Sequence, residues 1–218
     1  MTWIKICGTT SLEDALLAAE AGADALGFIF AESPRRIEPQ QAQQIIAKLP
    51  SRIEKAGVFV DPSAEYVCLV AQQTGITRIQ LHGDEDADLL RILRESLPSL
   101  RITKTVNAND AIHESLRRLN GSDFVDSVLL DSGSISQRGG TGRVFDWKAA
   151  KAAIAQSGVN LHWIIAGGLT PENVGEAIRL FQPWGVDVVS GVESLPGKKD
   201  AGKLKKFIAA IRAAEEKS

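Results

Sequence analysis

Sulfur is scarce in this sequence. Cys7 and Cys68 are its two cysteines and Met1 its one methionine. Two isolated thiols give neither a disulfide framework nor a CxxC metal spacing. An excess of charge is absent too: 25 Lys and Arg stand against 27 Asp and Glu, a net charge of −2. A dedicated nucleic-acid binder carries a basic surplus, so no nucleic-acid partner is expected. No apolar run approaches the ~20 residues that span a bilayer, and no membrane association is expected. The opening Met1-Thr2-Trp3-Ile4-Lys5-Ile6-Cys7-Gly8 lacks the charged region and long apolar stretch of a secretion signal, and reads as a strand. HxH and HExxH patterns and carboxylate clusters are missing, which argues against a metal site. There is no GxSxG nucleophile elbow and no GxGxxG after the first strand. These absences leave the expectation of a cytoplasmic chain with free thiols, no metal and no cofactor.

What is present is a regular alternation. Short apolar, β-branched runs occur at 3–7, 25–30, 55–60, 78–81, 101–105, 125–130, 162–166 and 186–189. Between them lie stretches with helical periodicity, beginning near Ser11, Pro39, Asp61, Asp84, Asn109, Asp146, Thr170 and Asp200. Ser11 and Asp61 precede acidic first-turn residues and read as N-caps. Asp61-Pro62 and Thr170-Pro171 place proline where a first helical residue is expected. Gly22, Gly75, Gly158 and Gly185 read as left-handed helix closures before the next strand. No Pro/Gly/Ser-rich linker divides the 218 residues. Strand–helix alternation implies parallel βαβ units, and eight of them without a hairpin predict a single-domain (β/α)8 TIM barrel over residues 1–218. The Gly-rich stretch from Ser132 to Gly142 lies inside the alternation and reads as a functional loop, a candidate lid.

Such a barrel carries its site at the C-terminal strand ends, with phosphate held after strands seven and eight. The polar residues fall there. Strand one runs into Cys7-Gly8 and strand two into Ser33-Pro34-Arg35-Arg36. Strand four ends at Gln80-Leu81-His82-Gly83, strand six at Leu129-Leu130-Asp131, strand seven at Ala166-Gly167-Gly168, and strand eight at Asp187-Val188-Val189-Ser190-Gly191. Gly139-Gly140-Thr141-Gly142, Gly167-Gly168 and Ser190-Gly191 offer backbone N–H donors that an anion can approach closely. Cys7 reads as a strand-end hydrophobe or as a reactive thiol. Asp131 caps a loop or serves as one half of an acid–base pair. His82 reads as an acid, a phosphate donor or a core histidine. Arg35 and Arg36 offer guanidinium forks. Cys68, His113, His162 and the four tryptophans read as structural, and Lys198, Lys199, Lys203, Lys205 and Lys206 as a solvated face.

The ordered set of motifs resembles the phosphoribosylanthranilate isomerase family. It is carried by Lys5-Ile6-Cys7-Gly8, Ser33-Pro34-Arg35, Gln80-Leu81-His82-Gly83, Leu129-Leu130-Asp131, Ala166-Gly167-Gly168-Leu169, Ser190-Gly191-Val192-Glu193 and Pro196-Gly197-Lys198-Lys199-Asp200. The resemblance implies an Amadori rearrangement of N-(5-phosphoribosyl)anthranilate to 1-(2-carboxyphenylamino)-1-deoxyribulose 5-phosphate, the third step from chorismate to tryptophan. It implies Cys7 as general base and Asp131 as general acid. Arg35, with Arg36 as fallback, would pair with the anthranilate carboxylate. His82, Gly140, Thr141, Gly142, Gly167, Gly168, Asp187, Ser190 and Gly191 would complete the substrate site. A thiol is mostly protonated at neutral pH, so Cys7 needs a positive environment, which Lys5 is placed to supply. Val189 departs from the serine frequent in the family, which leaves a backbone contact to phosphate there. The expected partner is the small-molecule substrate, with the chain a monomer or homodimer. Two related barrels are disfavoured: the histidine-pathway isomerase would carry Asp in place of Cys7, and indole-glycerol-phosphate synthase several strand-end Lys and Glu residues. A barrel that only binds phosphorylated ligands would not need both Cys7 and Asp131.

Overall fold

The computed structural model describes residues 1–108, 112–132 and 145–216. Eight strands alternate with eight helices: β1 (Trp3–Ile6), α1 (Leu12–Ala21), β2 (Ala25–Ile29), α2 (Pro39–Ile46), β3 (Glu54–Phe59), α3 (Ala64–Thr74), β4 (Arg78–Leu81), α4 (Ala87–Ser96), β5 (Arg101–Asn107), α5 (Ile112–Leu119), β6 (Ser127–Asp131), α6 (Trp147–Ser157), β7 (His162–Ile165), α7 (Val174–Phe181), β8 (Gly185–Val188) and α8 (Ala201–Glu215). Every strand pairs in parallel with its chain neighbours, and β8 returns to β1 through Lys5↔Asp187 and Ile6↔Val188. The sheet is a closed barrel, as the alternation predicts. A 3₁₀ turn at Ser190–Val192 and a small antiparallel hairpin, β9 (Glu193–Leu195) and β10 (Lys198–Lys199), interrupt the path from β8 to α8. Among the described residues no helix is long and apolar enough to cross a membrane.

Local chemistry sets most boundaries. Ser11, Asp146 and Asp200 cap α1, α6 and α8 by accepting first-turn N–H groups, each worth about 1 kcal/mol. Gly22, Gly75 and Gly158 close α1, α3 and α6 in the left-handed region. Three readings need correction. Asp61 does not begin a helix: its φ is 45°, and its carboxylate accepts the Asp84 N–H at 2.6 Å, tying two βα loops together. Ser63 caps α3 instead. Thr170-Pro171 forms a turn ahead of α7, and the proline at a first helical position is Pro39. Gly185 lies in β8, where a Cβ would come within 2.8 Å of the Trp3 ring, while Gln182 closes α7. The start expected at Asn109 lies outside the described residues.

Strand alternation separates two layers. Ile4, Ile6, Phe28, Phe59, Ile79 and Val186 join the large cluster packed under the helices, each such side chain contributing roughly 1.5–3 kcal/mol by burial. Trp3, Ala25, Leu129, Ile164 and Ala166 form a second cluster along the barrel axis. At the N-terminal end buried Arg78 binds Glu54 (2.8 Å), Thr103 (3.0 Å) and Ser127 (3.1 Å) and lies 5.0 Å from the Trp3 ring centre. Trp184 stacks between Trp3 and His162. His162 is therefore structural, as read. Above this plug Lys5 and Asp187 pair at 2.9 Å, both buried. The next inward positions along β1, β4 and β6 are Cys7, His82 and Asp131, at the mouth.

Candidate active site

Cys7 directly follows β1. Its N–H donates to the Val188 carbonyl at 2.9 Å, and its own carbonyl accepts from Lys199 Nζ. The thiol is 3% exposed. Gly27 of β2 lies against it: a Cβ there would collide with Cys7 Sγ, so the sulfur occupies space that glycine leaves open. Burial pushes the thiol up. Lys5 pulls it down and Asp187 pushes it up again, and the net shift is upward. The positive environment expected from the sequence is present in Lys5 and Lys199, but desolvation outweighs it. Burial also works against the Lys5 ammonium, yet Asp187 and Cys7 together more than compensate and raise its pKa. Lys5 is therefore a fixed cation beneath the sulfur.

Asp131 ends β6 and is buried. Its Oδ1 accepts from Ser132 Oγ at 3.4 Å, and its Oδ2 stands 3.7 Å from His82 Nε2. Burial pushes His82 down, more than the neighbouring Asp131 charge pulls it up, so the ring is neutral near pH 7. Its Nδ1 lies 3.4 Å from Gln80 Nε2. An amide N–H can only donate, so this contact makes Nδ1 the acceptor and leaves the proton on Nε2, toward Asp131.

The two arginines separate clearly. Arg35 lies in a turn closed by the Arg36 N–H on the Ser33 carbonyl at 3.0 Å, and Arg36 leaves that turn by bridging Ile29. Arg36 turns outward, half exposed, and pairs with Glu38 at 3.1 Å. Arg35 turns to the mouth, with its Cδ 2.7 Å from where a Gly8 Cβ would stand. Its guanidinium is held by Glu193, through Nε at 3.0 Å and Nη2 at 2.7 Å.

Opposite lies a glycine-lined pole. Gly167 and Gly168 have φ of 77° and 68°. A Cβ on Gly191 would run into the Leu169 carbonyl, and one on Gly167 into Ser132. Asn173 staples the turn by accepting the Thr170 N–H (2.8 Å) and donating to the Gly168 carbonyl (2.9 Å). Gly168, Thr170, Ser190, Gly191, Lys203 and Lys206 line a cleft of about 430 Å³. A smaller cavity shares Asp131, Gly167, Gly168, Asp187 and Ser190, so acid and glycine pole border one space. Asp187 meets that space, but its charge is engaged by Lys5. Val189 packs against the Gly8 backbone.

Cys7, His82, Asp131, Arg35, Gly167, Gly168, Asp187, Ser190 and Gly191 thus come together at one end of the barrel. Arg36 does not. Gly140, Thr141 and Gly142, with most of the proposed lid, lie outside the described residues. The lysine reading needs correction at Lys199 alone, which is buried; Lys198, Lys203, Lys205 and Lys206 are exposed as read, Lys203 and Lys206 at the rim of the cleft. Glu193, Lys199 and Asn173 carry roles the sequence reading did not assign. Among the described residues no group of three or more His, Cys, Asp or Glu could hold a metal ion.

A family model described as N-(5'phosphoribosyl)anthranilate (PRA) isomerase matches residues 4–210. The N-(5'-phosphoribosyl)anthranilate isomerase of Pelobacter propionicus is 44% identical over 209 residues, 95% of this chain and 94% of the relative. The solved phosphoribosyl anthranilate isomerase of Thermotoga maritima is 37% identical with a TM-score of 0.87, covering 98% of this chain and all of that one. A phosphoribosyl anthranilate isomerase solved in complex with reduced 1-(o-carboxyphenylamino)-1-deoxyribulose 5-phosphate is 35% identical, with a TM-score of 0.81 over 98% of this chain.

Proposed function

The chain belongs to the N-(5'-phosphoribosyl)anthranilate isomerase family of tryptophan biosynthesis, and on that premise we propose that Cys7 and Asp131 perform its reaction at the barrel mouth. The substrate is N-(5'-phosphoribosyl)anthranilate. Its phosphate sits on the backbone of Gly167, Gly168, Ser190 and Gly191, with Lys203 and Lys206 adding positive charge. Gly140, Thr141 and Gly142 join on the strength of the family resemblance. The anthranilate carboxylate pairs with Arg35.

Asp131 gives its proton to the ribose ring oxygen. The C1–O bond breaks, the oxygen leaves as the C4 hydroxyl, and the anilino nitrogen lone pair forms a C1=N iminium. Cys7, as thiolate, then removes the C2 proton. The C2–H electrons form C1=C2, and the iminium electrons return to nitrogen. The resulting enolamine loses its C2 hydroxyl proton and gains one at C1, giving the ketone. Proton exchange with solvent restores both groups. An aldose-to-ketose shift of this kind needs one acid and one base beside adjacent sugar atoms.

The electrostatics fit this sequence of events. Burial keeps the empty-site Cys7 a thiol, which protects it from side reactions. The iminium cation formed by ring opening adds to Lys5 and favours the thiolate when it is needed. His82 Nε2–H faces the carboxylate that Asp131 becomes after donating its proton. The observation that carries the reading is that Asp131 and the glycine pole line one cavity while Cys7 closes β1 beside β8. The test is fluorimetric: the purified protein should extinguish the emission of phosphoribosylanthranilate as product forms, and no turnover would overturn the reading.

A further inference from the structure

The hairpin that interrupts β8 and α8 lies outside the barrel sheet, tied to it through Asp14 and Thr10, yet it buries two charged side chains. Glu193 opens β9 and its side chain is 3% exposed; Lys199 ends β10 and its side chain is fully buried. Burying ions is costly unless they are paired and hydrogen-bonded, so their partners indicate what the hairpin is for.

Glu193 Oε1 accepts from Lys199 Nζ at 3.0 Å, from Gly197 N at 3.2 Å and from Arg35 Nε at 3.0 Å. Oε2 accepts from Arg35 Nε at 3.0 Å and Nη2 at 2.7 Å. Burial acts to raise the Glu193 carboxyl, but Arg35 and Lys199 overcome it and hold it below the ordinary range. It is a permanent anion that locks the Arg35 guanidinium from its Nε side. A guanidinium has five N–H groups in a rigid planar fork. Among the described residues no hydrogen bond from Nη1 to a protein acceptor is formed, so Glu193 holds the Nε side and leaves the Nη1/Nη2 edge for a ligand. That edge matches the two oxygens of a carboxylate. Lys199 meanwhile bonds the Cys7 carbonyl, so the same anion ties the arginine to the backbone of the base. One carboxylate against two cations leaves positive charge for an incoming anion.

We propose that Glu193 is a positioning and specificity residue. By fixing the plane of Arg35, it makes the enzyme select the carboxyl-bearing aryl ring over the unsubstituted one. This rests on the reading that Arg35 receives the anthranilate carboxylate. The experiment compares two inert ligands by calorimetric titration: reduced 1-(o-carboxyphenylamino)-1-deoxyribulose 5-phosphate, and its phenylamino counterpart without the carboxyl group. A bidentate charge-assisted pair predicts that the wild type prefers the first by roughly 10–100-fold. In Glu193→Gln that preference should fall about tenfold, while affinity for the second ligand stays within about twofold. With phosphoribosylanthranilate the same variant should raise KM far more than it lowers kcat. Glu193→Asp, which keeps the charge, should recover part of the preference and guards against a Gln variant that fails to fold. In an Arg35→Lys background Glu193→Gln should change nothing further. If the wild type prefers the carboxyl ligand but Glu193→Gln and Glu193→Asp leave the preference intact, or weaken both ligands equally, Glu193 is structural and the proposal falls. If the wild type shows no preference, the Arg35 reading falls and this proposal with it.

Discussion

Lys5→Met isolates the charge beneath the sulfur. Lys5 is 1% exposed and faces two anions, Asp187 at 2.9 Å and, when ionised, Cys7. An ammonium roughly 4 Å from a thiolate, at an effective dielectric of about 20, is worth up to ~4 kcal/mol. Losing it should lower the thiolate population, and with it kcat/KM near neutral pH, by about 10²–10³-fold. The sign follows from the direction of the shift. Cys7 is already raised, so the base gains thiolate as pH rises, and Lys5→Met moves that rise to higher pH. The substitution also strands Asp187 as a buried charge, at about 3–5 kcal/mol of stability. Lys5→Met/Asp187→Leu removes both ions and should restore most of that stability. It should also return part of the thiolate, because Asp187 itself raises Cys7. The assay is the pH profile of Cys7 alkylation, followed by mass spectrometry in a Cys68→Ala background, with urea unfolding alongside. Alkylation should respond to pH in the order wild type, double variant, single variant. Superimposable profiles for wild type and Lys5→Met would refute the claim that Lys5 acts on the thiol.

Three further outcomes are expected. Gly27→Ala should cost at least tenfold in kcat with the barrel intact by circular dichroism, because the new methyl collides with Cys7 Sγ; unchanged turnover would mean the sulfur can shift freely. Arg78→Met should lose about 1–3 kcal/mol of stability by removing the charged donor to buried Thr103 and Ser127, Glu54 being partly exposed and still paired with Arg101, with per-molecule activity preserved because the plug lies at the far end of the barrel; denaturant midpoints and kcat on the same preparation decide this. Nitrogen NMR of labelled protein at pH 7 should show His82 neutral and protonated at Nε2. Either an imidazolium or an Nδ1–H ring would contradict the Gln80 contact.

Eight strands and the barrel were legible because each strand is a compact apolar run bounded by caps and glycines. Polar and glycine residues concentrated at the strand ends mark the mouth in the sequence itself. Asp61-Pro62 and Thr170-Pro171 misled because a proline with a fixed φ serves a turn as well as a first helical turn. The β9–β10 hairpin left no periodic signal, since its strands span three and two residues. Lys199 falls in a lysine-rich stretch whose other members are exposed; one residue of register decides that Lys199 is buried and Lys198 is not. The facing of Arg35 and Arg36 likewise depends on the Ser33–Arg36 turn after β2, which residue identity does not show. The electrostatics of Cys7 could not be read at all from residue identity. Lys5 supplies the expected cation, but the net direction depends on burial.

The central claim is that Cys7 and Asp131 do the proton transfers. It is tested most directly by kcat for Cys7→Ala and Asp131→Asn, set beside the affinity of each variant for the reduced carboxyphenylamino-deoxyribulose phosphate. Each should lose roughly 10²–10⁴-fold in kcat while binding that ligand within about threefold of wild type. Near-native kcat in either variant would contradict the assignment of that residue.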